Sequence, residues 1–131
     1  MSSAASFRAA VESWDIDAVR ELLAPDIVFH SPVMFEPFVG REQVTQVLSM
    51  VAQTFEDFRY TDELESDSAH ALIFTARVGD KELQGVDLIR LDEQGLVTDF
   101  TVMLRPLTGL IPFAEAMGAK LAASGMQPPG G

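Results

Sequence analysis

The sequence predicts an α+β domain: helices first, then a strongly curved, mainly antiparallel sheet that encloses a pocket, then one closing helix. Three observations predict it. Up to Phe55 apolar residues recur at three- and four-residue spacing, the period of a helix packed on one face. From Phe58 onward they alternate with polar residues, the period of a half-buried strand. The joints between the alternating stretches are short, so neighbouring strands turn back on one another. At 131 residues the chain fits one domain, with about two-thirds of its unfolded surface removable on folding.

Phe7, Ala10, Val11 and Trp14 lie on one face of a first helix. Asp15 is placed to cap a second, short helix carrying Ile16, Val19, Leu22 and Leu23 and closed by Ala24-Pro25. Ile27 to Ser31 reads as a strand ended by Pro32, and a loop with Met34, Phe35, Pro37 and Phe38 follows. A third helix runs from Arg41-Glu42 to about Phe55, with Val44, Val47, Leu48 and Val51 inward. Strands are expected at Phe58–Ser66, Ala69–Val78, Glu82–Leu91 and Leu96–Arg105, with Pro106 ending the sheet. Leu110, Phe113, Met117 and Leu121 outline a last helix, with Pro112 in its first turn. Residues 1–125 are expected to form the domain and 126–131 a disordered tail.

Composition narrows the function classes. Nine Lys+Arg against 20 Asp+Glu give a formal charge of −11, which repels phosphate, so neither nucleic acid nor an anionic membrane surface is an expected partner. The chain has no cysteine, which removes disulfides, thiolate metal sites and a thiol nucleophile and fits a reducing, cytoplasmic setting. The first residues lack a basic stretch leading into an apolar one, so secretion is not expected. No uncharged stretch approaches the ~20 apolar residues of a membrane span. Glu56, Asp57, Asp62, Glu63, Glu65 and Asp67 crowd one region with Arg59. No metal-loop spacing accompanies them, so the plain reading is a solvated strand and turn.

A twisted antiparallel sheet wrapped around helices leaves a cone-shaped cavity. Phe29, Met34, Phe35, Phe38, Phe55, Phe74, Phe100, Leu104, Phe113 and Met117 are candidate lining residues, with Ser31 and Tyr60 as polar members. Ordinary core packing is the competing reading for each aromatic. The catalytic candidate is Asp87, a carboxylate in the middle of the apolar strand Leu83–Leu91. Burial raises a carboxyl pKa, and an acid kept neutral can donate a proton or a hydrogen bond. The alternative is a structural Asp87 paired to a cation such as Arg77 on the neighbouring strand, or to a backbone N–H. His30 titrates near neutrality but alternates with Phe29 and Ser31, so it points away from the cavity they would line. His70 adjoins an acidic turn and is expected to be exposed.

The order helix–helix–strand–helix–four strands resembles the nuclear transport factor 2-like superfamily, in particular its SnoaL-like and ketosteroid-isomerase-like branches. The carrying residues are Trp14-Asp15-Ile16-Asp17-Ala18, Leu23 through Pro32, Gly40-Arg41-Glu42, and Gly85-Val86-Asp87 ahead of Leu91-Asp92-Glu93-Gln94-Gly95. The resemblance spans about residues 5 to 108 and implies a cone-shaped, cystatin-like fold. The superfamily holds isomerases, cyclases, epoxide hydrolases, scaffolds and transport adaptors, so fold alone does not name a function. The resemblance sets Asp87 at the isomerases' protonated aspartic acid, which stabilises an enolate oxyanion, or at the cyclases' acid/base carboxylate. It sets Ser31 where the isomerases carry a general-base aspartate, and Phe7 near their helix-one tyrosine. An unactivated hydroxyl does not accept a carbon-bound proton at neutral pH, so steroid isomerisation by that mechanism is not expected. The epoxide-hydrolase branch needs an arginine bridging two aspartates in the pocket, and Arg90-Leu91-Asp92 lies at a strand end instead. The expectation is a protein that binds a small apolar molecule, without cofactor or metal, with possible acid/base chemistry at Asp87. A homodimer through the outer sheet face is also expected. The rival is a non-catalytic dimerisation or adaptor module whose pocket is filled by its own side chains.

Overall fold

The computed structural model describes residues 3–126. Helix α1 (Ser3–Glu12) is followed by α2 (Ile16–Leu22), β1 (Leu23–His30), β2 (Phe38–Val39) and α3 (Arg41–Thr54). Strands β3 (Glu56–Glu65), β4 (Ala69–Val78), β5 (Lys81–Leu91) and β6 (Val97–Arg105) come next, and α4 (Leu107–Ser124) closes the fold. The six strands lie in the order β2-β1-β6-β5-β4-β3. The meander β3 to β6 is antiparallel, whereas β1 runs parallel to β6. This is the α+β, cone-shaped arrangement that the change of period predicts.

Local chemistry explains where elements begin and end. Trp14 lies beyond α1, at φ 53°. Its amide donates to the Val11 carbonyl and the Asp15 amide to that of Ala10, so a left-handed turn closes the helix. Asp15 then caps α2 by accepting from the Ala18 amide at 3.1 Å. Ala24-Pro25 belongs to β1 rather than to a helix end. The β1–β6 register breaks between Leu23 and Val28, so Pro25 stands where its missing N–H costs no ladder bond. Phe38-Val39, expected in a loop, pairs with Phe29 and Val28 as a short edge strand. Helix α4 starts earlier than its apolar period shows, because Leu107 and Ile111 are exposed. Pro112 therefore falls inside α4, where it supplies no N–H for the Thr108 carbonyl.

The inner sheet face carries the core. His70, Leu72, Phe74 and Ala76 on β4 alternate with outward residues, as do Leu83, Gly85, Asp87 and Ile89 on β5. Phe55 stacks on Phe113 at 5.0 Å and Phe58 on Phe74 at 4.8 Å, while Phe29 meets Phe100 edge-on at 5.1 Å. Gly109 lets α4 lie against β5: a Cβ there would come within 2.8 Å of the Leu83 Cβ and 2.9 Å of the Glu82 carbonyl. Met126, expected in the tail, packs against the core. Residues 127–131 lie outside the described residues. Among the described residues, no helix is long and apolar enough to cross a membrane.

Candidate functional site

Strand alternation turns Asp87 inward, between Gly85 and Ile89, and leaves it 5% exposed. In the ladders Leu72, Asp87 and Val102 stand side by side across β4, β5 and β6. Its polar partner is Tyr60 on β3, whose hydroxyl donates to Asp87 Oδ2 at 2.6 Å. Removal from water pushes the Asp87 carboxyl up from 3.8 to about 7, and the Tyr60 hydrogen bond opposes that rise. Tyr60 itself is held well above its usual value, by burial first and then by the neighbouring carboxylate, so the phenol stays a donor. Arg77 does not reach Asp87. It bonds Asp57 at 2.6 Å, Glu56 at 2.5 Å and the Gly79 carbonyl at 2.8 Å instead.

Asp87 borders an inner cavity of about 40 Å³ between the sheet and the four helices, room for roughly two or three waters. Every other lining side chain is apolar or the indole of Trp14, with Phe29, Phe55, Phe58, Phe100 and Phe113 prominent. An outer cavity of about 330 Å³ adjoins it beneath α4 and the loop after β1, lined among others by Ser31, Met34, Phe38 and Met117. Phe29, Pro32, Val51 and Phe113 border both and form the partition. Among the described residues, Asp87 is the sole ionisable side chain bordering either cavity.

The structure thus brings Phe29, Ser31, Met34, Phe38, Phe55, Phe100, Phe113, Met117 and Asp87 to the two cavities. Four expected pocket residues lie elsewhere. Phe35 is 93% exposed, because the chain turns outward at Pro32 and carries it to the outer sheet face beside Thr101 and Met103. Tyr60 sits behind Asp87 as its hydrogen-bond donor. Phe74 is fully buried under Phe58. Leu104 packs at the end of the sheet over Gly85, away from both cavities. Ser31 Oγ accepts from the Met34 amide at 3.2 Å and so shapes its loop. Phe7 is core, edge-on to Phe100 at 5.3 Å. Asp92 Oδ1 accepts from the amides of Gln94 and Leu96, both at 2.9 Å, which makes it a turn residue.

His70 corrects a second expectation, for it is 7% exposed and faces inward. His30 keeps to the half-exposed side, 3.6 Å from Asp99. Sequence reasoning missed Trp14 and Phe58 as lining residues, and the Tyr60–Asp87 bond. Trp14 is reoriented by its left-handed turn. The Tyr60–Asp87 bond depends on a register that shifts between Tyr60 and Asp62, which alternation alone does not reveal.

A family model described as SnoaL-like domain matches residues 4–100. Among solved structures, the chain is similar to a steroid delta-isomerase from Pseudomonas aeruginosa, with 40% identity and a TM-score of 0.88 over 93% of this chain and 90% of that one. It is also similar to an uncharacterized protein with a cystatin-like fold from Silicibacter pomeroyi, with 34% identity and a TM-score of 0.90 over 94% and 87% of the two chains. An NTF2-like protein of unknown function from Cytophaga hutchinsonii, 19% identical over 79% and 88% of the two chains with a TM-score of 0.63, shares the fold. No curated protein matches the chain.

Proposed function

The chain belongs to the SnoaL-like family, and from that premise we propose that it binds a small apolar molecule carrying one carbonyl or hydroxyl group and moves a proton at Asp87. The observation that carries the reading is the lone carboxyl on otherwise apolar walls, bonded to a buried phenol. The apolar skeleton is recognised by area, and the single polar group by the only hydrogen-bonding partner of variable charge. With a pKa of about 7, the carboxyl is present in both forms near neutrality. It can accept a proton from one atom and return it to another, as a proton shift requires. No cofactor is needed for that chemistry. The similarity to a steroid delta-isomerase supports a rigid, apolar carbonyl compound as ligand class. The unmatched isomerase positions, Ser31 and Phe7, separate this site from that enzyme class's usual base and tyrosine. One carboxyl must therefore serve as both base and acid.

One observation favours the rival reading of a non-catalytic module, namely the small volume of the inner cavity. The test is exchange of α-protons of apolar ketones for deuterium, followed by proton NMR, with wild type and Asp87→Asn. Exchange that is catalysed by wild type and lost in Asp87→Asn, with ketone affinity retained, supports the proposal. Binding without exchange in wild type removes the proton chemistry and leaves ligand binding, and no binding of any apolar ketone overturns the proposal in favour of the self-filled, non-catalytic module. We also propose that two copies pair through the outer sheet face.

A further inference from the structure

The acidic run on β3 reads from the sequence as a solvated face, yet the fold turns two of its carboxylates toward a buried histidine. In the β3–β4 ladder Glu65 stands opposite His70 and Glu63 opposite Leu72, so all three chemistry-bearing side chains share the inward face. His70 Nδ1 is shut off from solvent and has no hydrogen-bond partner among the described residues. It lies 3.4 Å from Glu65 Oε2. A buried ring nitrogen without a partner costs free energy that a bonded group would recover. One ligand atom each from Glu63, Glu65 and His70 falls within 4.8 Å of the other two.

We propose that Glu63, Glu65 and His70 form a binding site for a divalent transition metal of the zinc class, with water as the remaining ligand. Zinc–ligand bonds of about 2.0–2.2 Å place tetrahedral donors about 3.4 Å apart. His70 Nδ1 and Glu65 Oε2 already stand at that spacing, 3.4 Å apart, and the three ligand atoms, all within 4.8 Å, close to it by rotation of the two glutamate side chains, of which Glu65 is 64% exposed. Two carboxylates balance the charge of the ion. The imidazole selects zinc-class ions over magnesium and calcium, which take all-oxygen shells. Arg8 Nη1 contacts Glu63 Oε1 at 3.3 Å and leaves that carboxylate its second oxygen. Arg8 thereby orients Glu63 as outer-shell partners orient metal carboxylates. His70 borders neither cavity, so the ion would fasten the β3–β4 hairpin rather than act on the ligand.

The untagged, metal-free full chain is titrated with Zn²⁺ by calorimetry and with Co²⁺ by visible absorption. The expected result is one saturable site, no binding heat from Mg²⁺ under the same conditions, and a higher melting temperature with Zn²⁺. Glu65→Gln and His70→Gln should each weaken binding more than about tenfold. The chain's other histidine serves as control, and His30→Gln should leave binding unchanged. Glu65 is exposed, so Glu65→Gln keeps its fold and decides the matter even where His70→Gln does not fold. Absence of saturable Zn²⁺ binding, affinity unaltered in Glu65→Gln, or loss of binding in His30→Gln would each overturn the proposal.

Discussion

The fold keeps Asp87 from water and gives its carboxyl one donor, the Tyr60 hydroxyl. Below about pH 4 the group is protonated whether the chain is folded or unfolded, and it costs nothing. Between there and about 7 the unfolded chain releases the proton while the folded chain keeps it. Stability therefore falls as pH rises across that window and levels off above it. The loss amounts to at most about 4 kcal/mol, from about 1.4 kcal/mol for each pH unit. Asp87→Asn preserves shape and an acceptor for Tyr60 but cannot ionise. It should be more stable than wild type at pH 8, with the gap closing toward pH 4, as read from urea unfolding at the two pH values. A gap independent of pH would contradict a raised pKa. Tyr60→Phe removes the donor that favours the charged form, so the Asp87 carboxyl should titrate still higher. Carboxyl-carbon NMR titration measures that shift, and an unchanged or lower value would remove Tyr60 from the site.

At the scale of elements, β5 is shaped by what it lacks. A Cβ on Gly85 would meet Phe74 Cζ at 2.4 Å, Leu104 Cδ2 at 2.6 Å and the Met103 carbonyl oxygen at 2.7 Å. The last is backbone of a paired strand and cannot swing aside, so Gly85→Ala should destabilise by about 1–3 kcal/mol. Chemical denaturation checks this, and a neutral result would mean that β5 and β6 can separate locally. This element also shows what was legible in the sequence. Period and turn chemistry located β4 to the residue and placed the other late strands within two residues, because alternation is a local property. Asp87 stood out because a carboxylate in an apolar strand violates that pattern. The partners were not legible. Tyr60 reaches Asp87 through a shifted register, Trp14 enters the inner cavity through a left-handed turn, and His70 is buried beneath a turn whose composition looks solvated. Each depends on contacts between elements that a single-strand pattern does not encode. Phe35 fails in the opposite sense, since an aromatic in a loop carries no period to say which way it faces.

At the scale of the whole molecule, the outer sheet face carries apolar residues of its own. The inner face buries its apolar residues against four helices, but Ile73, Val86, Leu88 and Met103 lie on the other side of the same strands, with Met103 52% exposed. Phe35 joins Met103 there through the loop after β1. A contiguous apolar surface of this kind marks an interaction site more often than a free surface. The alternation that makes one face core turns these side chains to the other, where a second sheet can pack against them. The net charge of −11 opposes self-association at long range, so pairing should strengthen when salt screens it. Short-range apolar burial gains nothing from dilution of salt, which separates the two contributions. Sedimentation at micromolar concentration should therefore show a dimer, tighter at high than at low ionic strength. Met103→Asp places a charge in the centre of the proposed contact and should yield a folded monomer with an intact inner cavity. A wild-type chain that sediments as a monomer at both ionic strengths, or a Met103→Asp dimer, would rule out pairing through this face.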